Sequence, residues 1–246
     1  MAYLAWWSGG ITSAVAIHIA IQMGLPVDIY FFETGAHHPD TYRFMGKCEE
    51  WYNKSIHWVH NRKYRDIYDV FKKDKYLNGA GARCTLKLKK EMRWYIERVY
   101  NKYHGGWDGQ IFGFEFDKKE IKRAKAFSRE YPEAKAIYPL IDKIITKPNA
   151  MAILENTGIE PPEMYRKGYH NNNCIGCVKG GMGYWNRIRE DFPLQFAKTA
   201  LIEQELKRTC IKGTSLLDLS HDAGRHDPPI TAECGLFCPT EMENHQ

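Results

Sequence analysis

Apolar positions in the first half of the chain form short runs separated by longer stretches with helical periodicity. Four runs have the length and content of buried strands: 3–7, 27–32, 55–59 and 110–114. Three helical patterns lie among them: 14–23, 39–52 and 86–100. Because strands that alternate with helices need crossover connections, we predict an α/β fold with a doubly wound, mostly parallel sheet.

The pattern changes in the second half of the chain. Residues 146–157 and 192–209 show helical periodicity, whereas 158–183 is rich in Gly, Asn and Pro and too irregular for a sheet. We therefore predict an α/β domain over residues 1–145. The prediction for residues 146–246 is a small helical and loop-rich C-terminal appendage that carries cysteines.

The composition is that of a globular protein, with 43% hydrophobic and 26% charged residues in a chain of 246. No apolar run approaches the roughly 18 residues of a membrane span, so we expect no membrane association. The first ten residues place no basic region before their apolar stretch, so we expect a cytoplasmic protein. Seven cysteines, an odd number without an export signal, fit metal ligands or reactive thiols better than disulfides.

The net charge of +5 is compatible with an anionic substrate and does not demand nucleic acid as a partner. Basic residues concentrate in one helical stretch, where residues three and four apart share a face. These residues are Lys87, Lys89, Lys90, Arg93, Arg98 and Lys102. The sequence favours a solvated helix surface over a nucleic-acid groove, and nucleic acid stays open as a partner.

A short loop after the first predicted strand has the residues of an anion site. In Ser8-Gly9-Gly10-Ile11-Thr12-Ser13, the glycines allow a tight turn that exposes backbone N–H groups. The following helix adds its positive end, and the hydroxyls of Ser8, Thr12 and Ser13 can donate to phosphate oxygens. The alternative is a plain strand-to-helix turn, but two glycines and three hydroxyls in six residues favour a site for phosphate or pyrophosphate.

This Ser-Gly-Gly-x-x-Ser loop resembles the pyrophosphate loop (PP-loop) of the adenine nucleotide alpha-hydrolase superfamily, which includes ATP pyrophosphatases and phosphoadenylyl-sulfate (PAPS) reductases. Thr12 stands where ATP-cleaving members usually carry Asp, which weighs against activation of ATP with magnesium. Further segments are similar to PAPS reductases and occur in the order of that family: 31–42, 82–89, 113–123, 138–142 and 233–236.

The resemblance implies that an adenine nucleotide lies across the carboxyl ends of the strands, with its phosphates on the loop and residues 33–35 beside the adenosine. The implied substrate nucleotide is ATP, PAPS or adenylyl sulfate. The predicted nucleotide-binding residues are Ser8, Gly9, Gly10, Thr12, Ser13, Glu33, Thr34, Gly35 and Gly113.

The strongest local chemical signal is the pair Cys174 and Cys177, because two thiolates at this spacing can turn towards one metal. Taken alone, the pair is half a zinc site, a redox dithiol or a coincidence. Cys48 and Cys210 fall within or at the end of helical patterns, where a buried, inert thiol is the better interpretation. Further thiols stand at Cys84, Cys234 and Cys238.

Adenylyl-sulfate reductases of the resembled family bind a 4Fe–4S cluster through an adjacent Cys-Cys pair and a Cys-x-x-Cys pair, and here Cys84 is followed by Thr85. The resemblance therefore implies a cluster with one ligand replaced by a tail cysteine or left open, and zinc is the alternative metal. We predict as ligands Cys84, Cys174, Cys177 and Cys234.

In the reductases, the cysteine of a Glu-Cys-Gly motif attacks the sulfonate sulfur. Because Cys234 of this motif is assigned to the metal, we predict Cys238 as the reactive thiol, with Arg83 and Lys87 neutralising phosphate or sulfate. The sequence leaves the reductant or sulfur donor and the oligomeric state open.

Tyr184 and Trp185 are expected to pack against the loop that carries Cys174 and Cys177.

The resemblance implies an enzyme that acts on sulfur at an adenine nucleotide, by phosphosulfate reduction or by adenylation-coupled sulfur transfer. One alternative is an ATP-dependent enzyme that thiolates nucleic acid. Others are a nucleotide-binding regulatory protein without catalysis and a zinc-stabilised nucleic-acid binder.

Overall fold

The fold is built on a parallel sheet of five strands. A computed structural model describes residues 1–79 and 81–226. Its strands are β1 Tyr3–Trp7, β2 Val27–Phe32, β3 Ile56–Val59, β4 Gly109–Ile111 and β5 Ala136–Ile137. They pair in the order β3-β2-β1-β4-β5, and every pair is parallel. The predicted α/β fold with a doubly wound, parallel sheet is confirmed.

Eleven α-helices occur in the described residues. They are α1 Ile11–Gln22, α2 Asp40–Tyr52, α3 Ile67–Asp74, α4 Arg83–Thr85, α5 Glu91–His104, α6 Lys118–Glu130, α7 Pro139–Asp142, α8 Lys147–Glu155, α9 Glu163–Arg166, α10 Met182–Asp191 and α11 Pro193–Leu206. A π-helical segment, Leu86–Lys90, lies between α4 and α5. Over residues 1–79 and 81–226, no helix is both long enough and apolar enough to cross a membrane.

The chain forms two compact units that are interleaved in sequence. The first, which we call the sheet unit, comprises Met1–Phe32, Pro39–Val59 and Arg93–Lys167. The second, the cysteine unit, comprises Glu33–His38, His60–Met92 and the described residues from Gly168 onwards. The division into 1–145 and 146–246 stays a prediction.

The sheet unit is organised around α1, which is buried along most of its length. Helices α2, α7 and α8 all contact α1, so this helix needs apolar residues on nearly every side. Its small residues Ala14, Ala16 and Ala20 are buried and allow these neighbours to approach closely. Strand β1 is likewise buried from Leu4 to Trp7, as expected for a parallel sheet covered on both faces.

The basic stretch that we expected on a solvated helix surface is largely buried. Arg93 is only 2% exposed, and its guanidinium carbon lies 5.3 Å and 5.0 Å from the ring centroids of Phe127 and Tyr131. Burial lowers the pKa of Arg93, and Glu97 opposes that shift from one turn away. Lys89 and Lys90 are also buried. The interpretation as a solvated stripe is therefore wrong for these three residues, and in the case of Arg93 the rings of Phe127 and Tyr131 cover the guanidinium.

The cysteine unit contains a buried carboxylate that fixes the chain after α11. Glu203 is 3% exposed, and its two oxygens accept hydrogen bonds from the backbone N–H groups of Cys210 and Leu216, each at 2.7 Å. Backbone groups in a buried loop need partners of this kind. Glu203 therefore stabilises the segment that carries Cys210.

We predict that Glu203→Ala lowers the free energy of unfolding by about 2–4 kcal/mol, because two buried N–H groups lose their acceptor. The matched control is Glu205→Ala, two residues along the same helix. Glu205 pairs with Lys72 between side chains that are about half exposed, so its loss should change the free energy by less than about 0.5 kcal/mol. Urea denaturation followed by circular dichroism measures both, and equal losses would contradict the assignment.

Candidate functional site

The strand order places a topological switch point between β1 and β4. The chain proceeds from β1 towards β2 and β3 on one side, and β4 and β5 lie on the other. In open parallel sheets, ligands bind outside the carboxyl ends of the strands at such a point. The predicted anion loop, residues 8–13, follows β1 directly, and Gly113 follows β4. Two segments predicted to bind nucleotide therefore lie at the place where this fold binds ligands.

The anion loop, which we call the phosphate loop, is held by its own hydroxyl groups. The Oγ atoms of Ser8 and Ser13 are 2.9 Å apart, and the Ser8 N–H donates to Ser13 Oγ at 3.1 Å. Gly9 has a positive φ of 85°, a conformation that favours glycine. Helix α1 begins at Ile11, so Ser13 lies inside its first turn, although the sequence pattern predicted a start at residue 14.

The electrostatics of this loop favour an anion. No acidic residue lies in the first turn of α1, and its N-cap residue, Gly10, has no side chain that could cap the helix. The partial positive charge at the start of the helix is therefore not compensated from within its own first turn. Thr12, at the position where ATP-cleaving relatives carry Asp, is buried.

Gly113 touches the phosphate loop from the neighbouring strand. A Cβ atom at Gly113 would lie 2.5 Å from Ser13 Cα and 2.6 Å from the Ser13 backbone nitrogen. Real Cβ atoms do not approach backbone this closely, so only glycine fits without a shift of the main chain. Gly113, which was predicted as a nucleotide-binding residue, therefore lies directly against the phosphate loop.

Glu33, Thr34 and Gly35, predicted beside the adenosine, belong to the cysteine unit. Thr34 is 2% exposed, and its hydroxyl lies 3.1 Å from Cys174 Sγ. The Gly35 N–H donates to the Glu33 carboxylate at 2.6 Å. The structure therefore brings Thr34 to a predicted metal ligand, and the contact of these residues with adenosine stays a prediction.

The loop of Cys174 and Cys177 is organised by one tyrosine. The Tyr184 hydroxyl accepts from the N–H groups of Gly176 and Cys177 at 3.0 Å and 2.9 Å, and it donates to the Cys174 carbonyl at 3.1 Å. Burial raises the pKa of Tyr184 well above its usual value, which keeps the donor proton in place. The expected packing of this loop by Tyr184 is confirmed.

The remaining predicted residues of the cysteine unit lie on α4 and the π-helical segment after it. Cys84 is half-buried. The Arg83 guanidinium lies 5.8 Å from the centroid of the Tyr76 ring. Lys87 Nζ is 2.6 Å from a carboxylate oxygen of Glu91, one turn further along the chain.

Cys210 is the buried thiol that the sequence pattern predicted. Burial is the largest cause that raises the pKa of this thiol, and Glu203 raises it further.

Thiolates are the usual protein ligands of iron–sulfur clusters and common ligands of zinc, so the described cysteines are of the right type to bind either one. None of the five described cysteines forms a disulfide. Outside Ala80 and residues 227–246, however, no three His, Cys, Asp or Glu side chains are close enough together to hold a metal ion. Cys234 and Cys238 lie outside the described residues.

A comparison with protein families gives a match that covers most of the chain. The phosphoadenosine phosphosulfate reductase domain matches residues 2–180. The chain therefore belongs to the PAPS reductase domain family, as its motifs predicted. No curated protein sequence matches it significantly.

Solved structures similar to this chain include two that we describe. One is the PAPS reductase from Candida auris in a phosphate complex, with 18% identity, a TM-score of 0.49, and coverage of 71% of this chain and 82% of the other. The second is the U34-tRNA thiolase NcsA from Methanococcus maripaludis with its [4Fe-4S] cluster. It has 12% identity, a TM-score of 0.46, and coverage of 95% of this chain and 83% of the other.

We predict that Gly113→Ala lowers the free energy of unfolding by about 1–3 kcal/mol, because the added methyl group forces β4 and α1 apart. The matched control is Gly46→Ala in α2, where an added Cβ meets nothing within 4 Å. That substitution should be neutral or stabilise by up to about 1 kcal/mol, since alanine is the better helix former. Urea denaturation measures both variants. A Gly113→Ala protein as stable as the wild type would contradict the close approach.

Proposed function

We propose that this protein is a PAPS-reductase-like enzyme that acts on sulfur carried by an adenine nucleotide. The observation that carries the proposal is the phosphate loop at the switch point of the sheet, in a chain of the PAPS reductase domain family. PAPS, adenylyl sulfate and ATP all present phosphate next to adenosine. We place the activity in the cytoplasm, where thiols stay reduced.

The phosphate loop would bind the phosphate groups through its backbone N–H groups and hydroxyls. The positive end of α1, without an acidic residue in its first turn, favours the negative charge of the nucleotide. Gly113 would keep the end of β4 close to the loop, so that the start of α1 does not move when phosphate binds.

The cysteine unit would supply the sulfur chemistry. Cys84, Cys174 and Cys177, with Cys234 as the fourth ligand, would hold a 4Fe–4S cluster, and zinc is the alternative metal. A bound cluster supplies electrons or a binding position for sulfur. Arg83 and Lys87 would neutralise the sulfate or phosphate charge, and Lys87 would then exchange Glu91 for the substrate.

For the reductive reaction, we assign the nucleophile to Cys238. Its thiolate would attack the sulfonate sulfur, forming a sulfur–sulfur bond while the bond from sulfur to the phosphate oxygen breaks. The nucleotide would leave with that electron pair. An external dithiol, oxidised to a disulfide, would then reduce the new bond and release sulfite.

Adenylation-coupled thiolation of a nucleic acid is the competing reaction. Two observations weigh against it. Thr12 replaces the usual Asp of ATP-cleaving relatives, and burial of Lys89, Lys90 and Arg93 removes half of the six-residue basic stretch from the surface that would contact nucleic acid.

To test the reaction, the protein is purified in the absence of oxygen. It is then incubated with a dithiol reductant and with one nucleotide at a time: ATP, adenylyl sulfate or PAPS. Products are followed as AMP, adenosine bisphosphate, pyrophosphate and sulfite. We expect sulfite together with a nucleotide product from PAPS or adenylyl sulfate. The control is Cys238→Ser, which should release no sulfite while it still binds nucleotide.

Other outcomes identify the alternatives. Pyrophosphate released from ATP, without sulfite from either sulfated nucleotide, would favour adenylation-coupled sulfur transfer. Binding of nucleotide without turnover under any of these conditions would favour a regulatory protein and contradict the proposed enzyme.

We predict that Cys174→Ser and Cys177→Ser each lose most of the iron that anaerobically purified wild-type protein contains, because a cluster needs its thiolates. The control is Cys48→Ser. Cys48 is buried in the core of the sheet unit, which raises the pKa of its thiol to about 12. Iron, sulfide and zinc assays and the visible absorption of the cluster measure the result. A colourless wild-type protein with stoichiometric zinc would contradict the cluster.

A further inference from the structure

Tyr165 lies against the phosphate loop, although it is 154 positions away from Ile11 in sequence. The Ile11 N–H donates a long hydrogen bond of 3.4 Å to the Tyr165 hydroxyl oxygen. A Cβ atom placed on Gly10 would lie 3.1 Å from the same oxygen. The hydroxyl therefore contacts the first residue of α1 and the residue before it, within the sheet unit.

The position of Tyr165 is set by a polar network at the start of α2. Asp40 accepts a hydrogen bond from the Glu163 backbone N–H at 2.8 Å. Arg43 donates to both carboxylate oxygens of Asp40, at 2.5 Å and 3.0 Å, and to the Pro161 carbonyl at 3.2 Å. These bonds from Arg43 are the largest cause that holds the pKa of Asp40 below its usual value. Helix α9, and Tyr165 with it, is thus anchored from outside the loop.

The surroundings of the Tyr165 hydroxyl suit an anion. Hydroxyl oxygens of Ser8, Ser13 and Tyr165 accept hydrogen bonds from N–H groups of the phosphate loop, which are the groups that bind phosphate oxygens in such loops. The Lys147 ammonium lies 5.6 Å from the centroid of the Tyr165 ring and adds positive charge nearby. A phosphate that takes the Ile11 N–H would therefore also meet the Tyr165 hydroxyl.

We propose that Tyr165 is a nucleotide-binding residue whose hydroxyl donates a hydrogen bond to a phosphate oxygen held by the phosphate loop. This inference rests on the proposed binding of a nucleotide at that loop. A tyrosine hydroxyl both accepts and donates, so the oxygen that now accepts from Ile11 can direct its own proton to the phosphate. The bond strengthens recognition of phosphate and adds nothing to recognition of adenosine.

The test compares Tyr165→Phe with wild-type protein by calorimetric titration of PAPS, adenylyl sulfate, ATP, inorganic pyrophosphate and adenosine. We expect Kd to rise about tenfold or more for the phosphate-bearing ligands that the wild type binds, because a hydrogen bond to a charged group is lost. Affinity for adenosine should not change. The control is Tyr138→Phe in the same unit, where the hydroxyl contacts Ser128 Oγ and the Ala124 carbonyl at 2.8 Å and 2.9 Å. It should bind every ligand as the wild type does.

Three results would overturn the role of Tyr165. If Tyr165→Phe binds phosphate-bearing ligands as tightly as the wild type or more tightly, Tyr165 has no such role, although the proposed function remains valid. Equal weakening for adenosine indicates a structural role. A wild-type protein that binds neither nucleotide nor pyrophosphate overturns the proposed function as well.

A second measurement needs no variant. Pyrophosphate should shift the resonances of the Tyr165 ring in protein carrying labelled tyrosine. Binding of pyrophosphate without such a shift also overturns the proposal.

Discussion

The close approach between the end of β4 and the start of α1 is the constraint on which the sheet unit depends. Gly113 and Ser13 are so close there that a side chain on Gly113 would not fit. The hydroxyl of Ser13 also contacts that of Ser8, so the last residue of the phosphate loop is bound to its first. The same contact sets the position of the first turn of α1. Because that turn presents the N–H groups that would attract an anion, packing of the sheet and the proposed binding of phosphate depend on one arrangement.

The cysteine unit shows a different use of buried polar groups. Tyr184 satisfies three backbone groups around Cys174 and Cys177, and Glu203 satisfies two in the segment that carries Cys210. An irregular segment makes few of the regular backbone hydrogen bonds found in helices and sheets. Single side chains therefore supply the hydrogen-bond partners that its buried N–H and C=O groups need. Tyr184 and Glu203 thus hold the backbone on either side of Cys174, Cys177 and Cys210.

Sequence alone predicted the parallel sheet, the phosphate loop and the family, because apolar runs and glycine spacing are local signals. It missed β5 and several helices, among them α3, α6 and α10. The Asp66 cap of α3 and the Asp117 cap of α6 were visible in the sequence, but charged residues obscure the apolar stripe of α6. Burial of Arg93 by Phe127 and Tyr131, and the contact of Tyr165 with Ile11, join residues far apart in the chain. Periodicity and motif spacing carry no information about such contacts.

The central claim is that residues 8–13 bind the phosphate of an adenine nucleotide, and backbone amide hydrogen exchange tests it most directly. Exchange rates are measured for individual backbone amides in the free protein. They are measured again with PAPS, adenylyl sulfate or ATP present at a saturating concentration. We expect exchange to slow at the Gly10 and Ile11 amides when a nucleotide binds, because phosphate oxygens take over these N–H groups more strongly than hydroxyls do. Unchanged exchange at these amides while a nucleotide is bound would contradict the account.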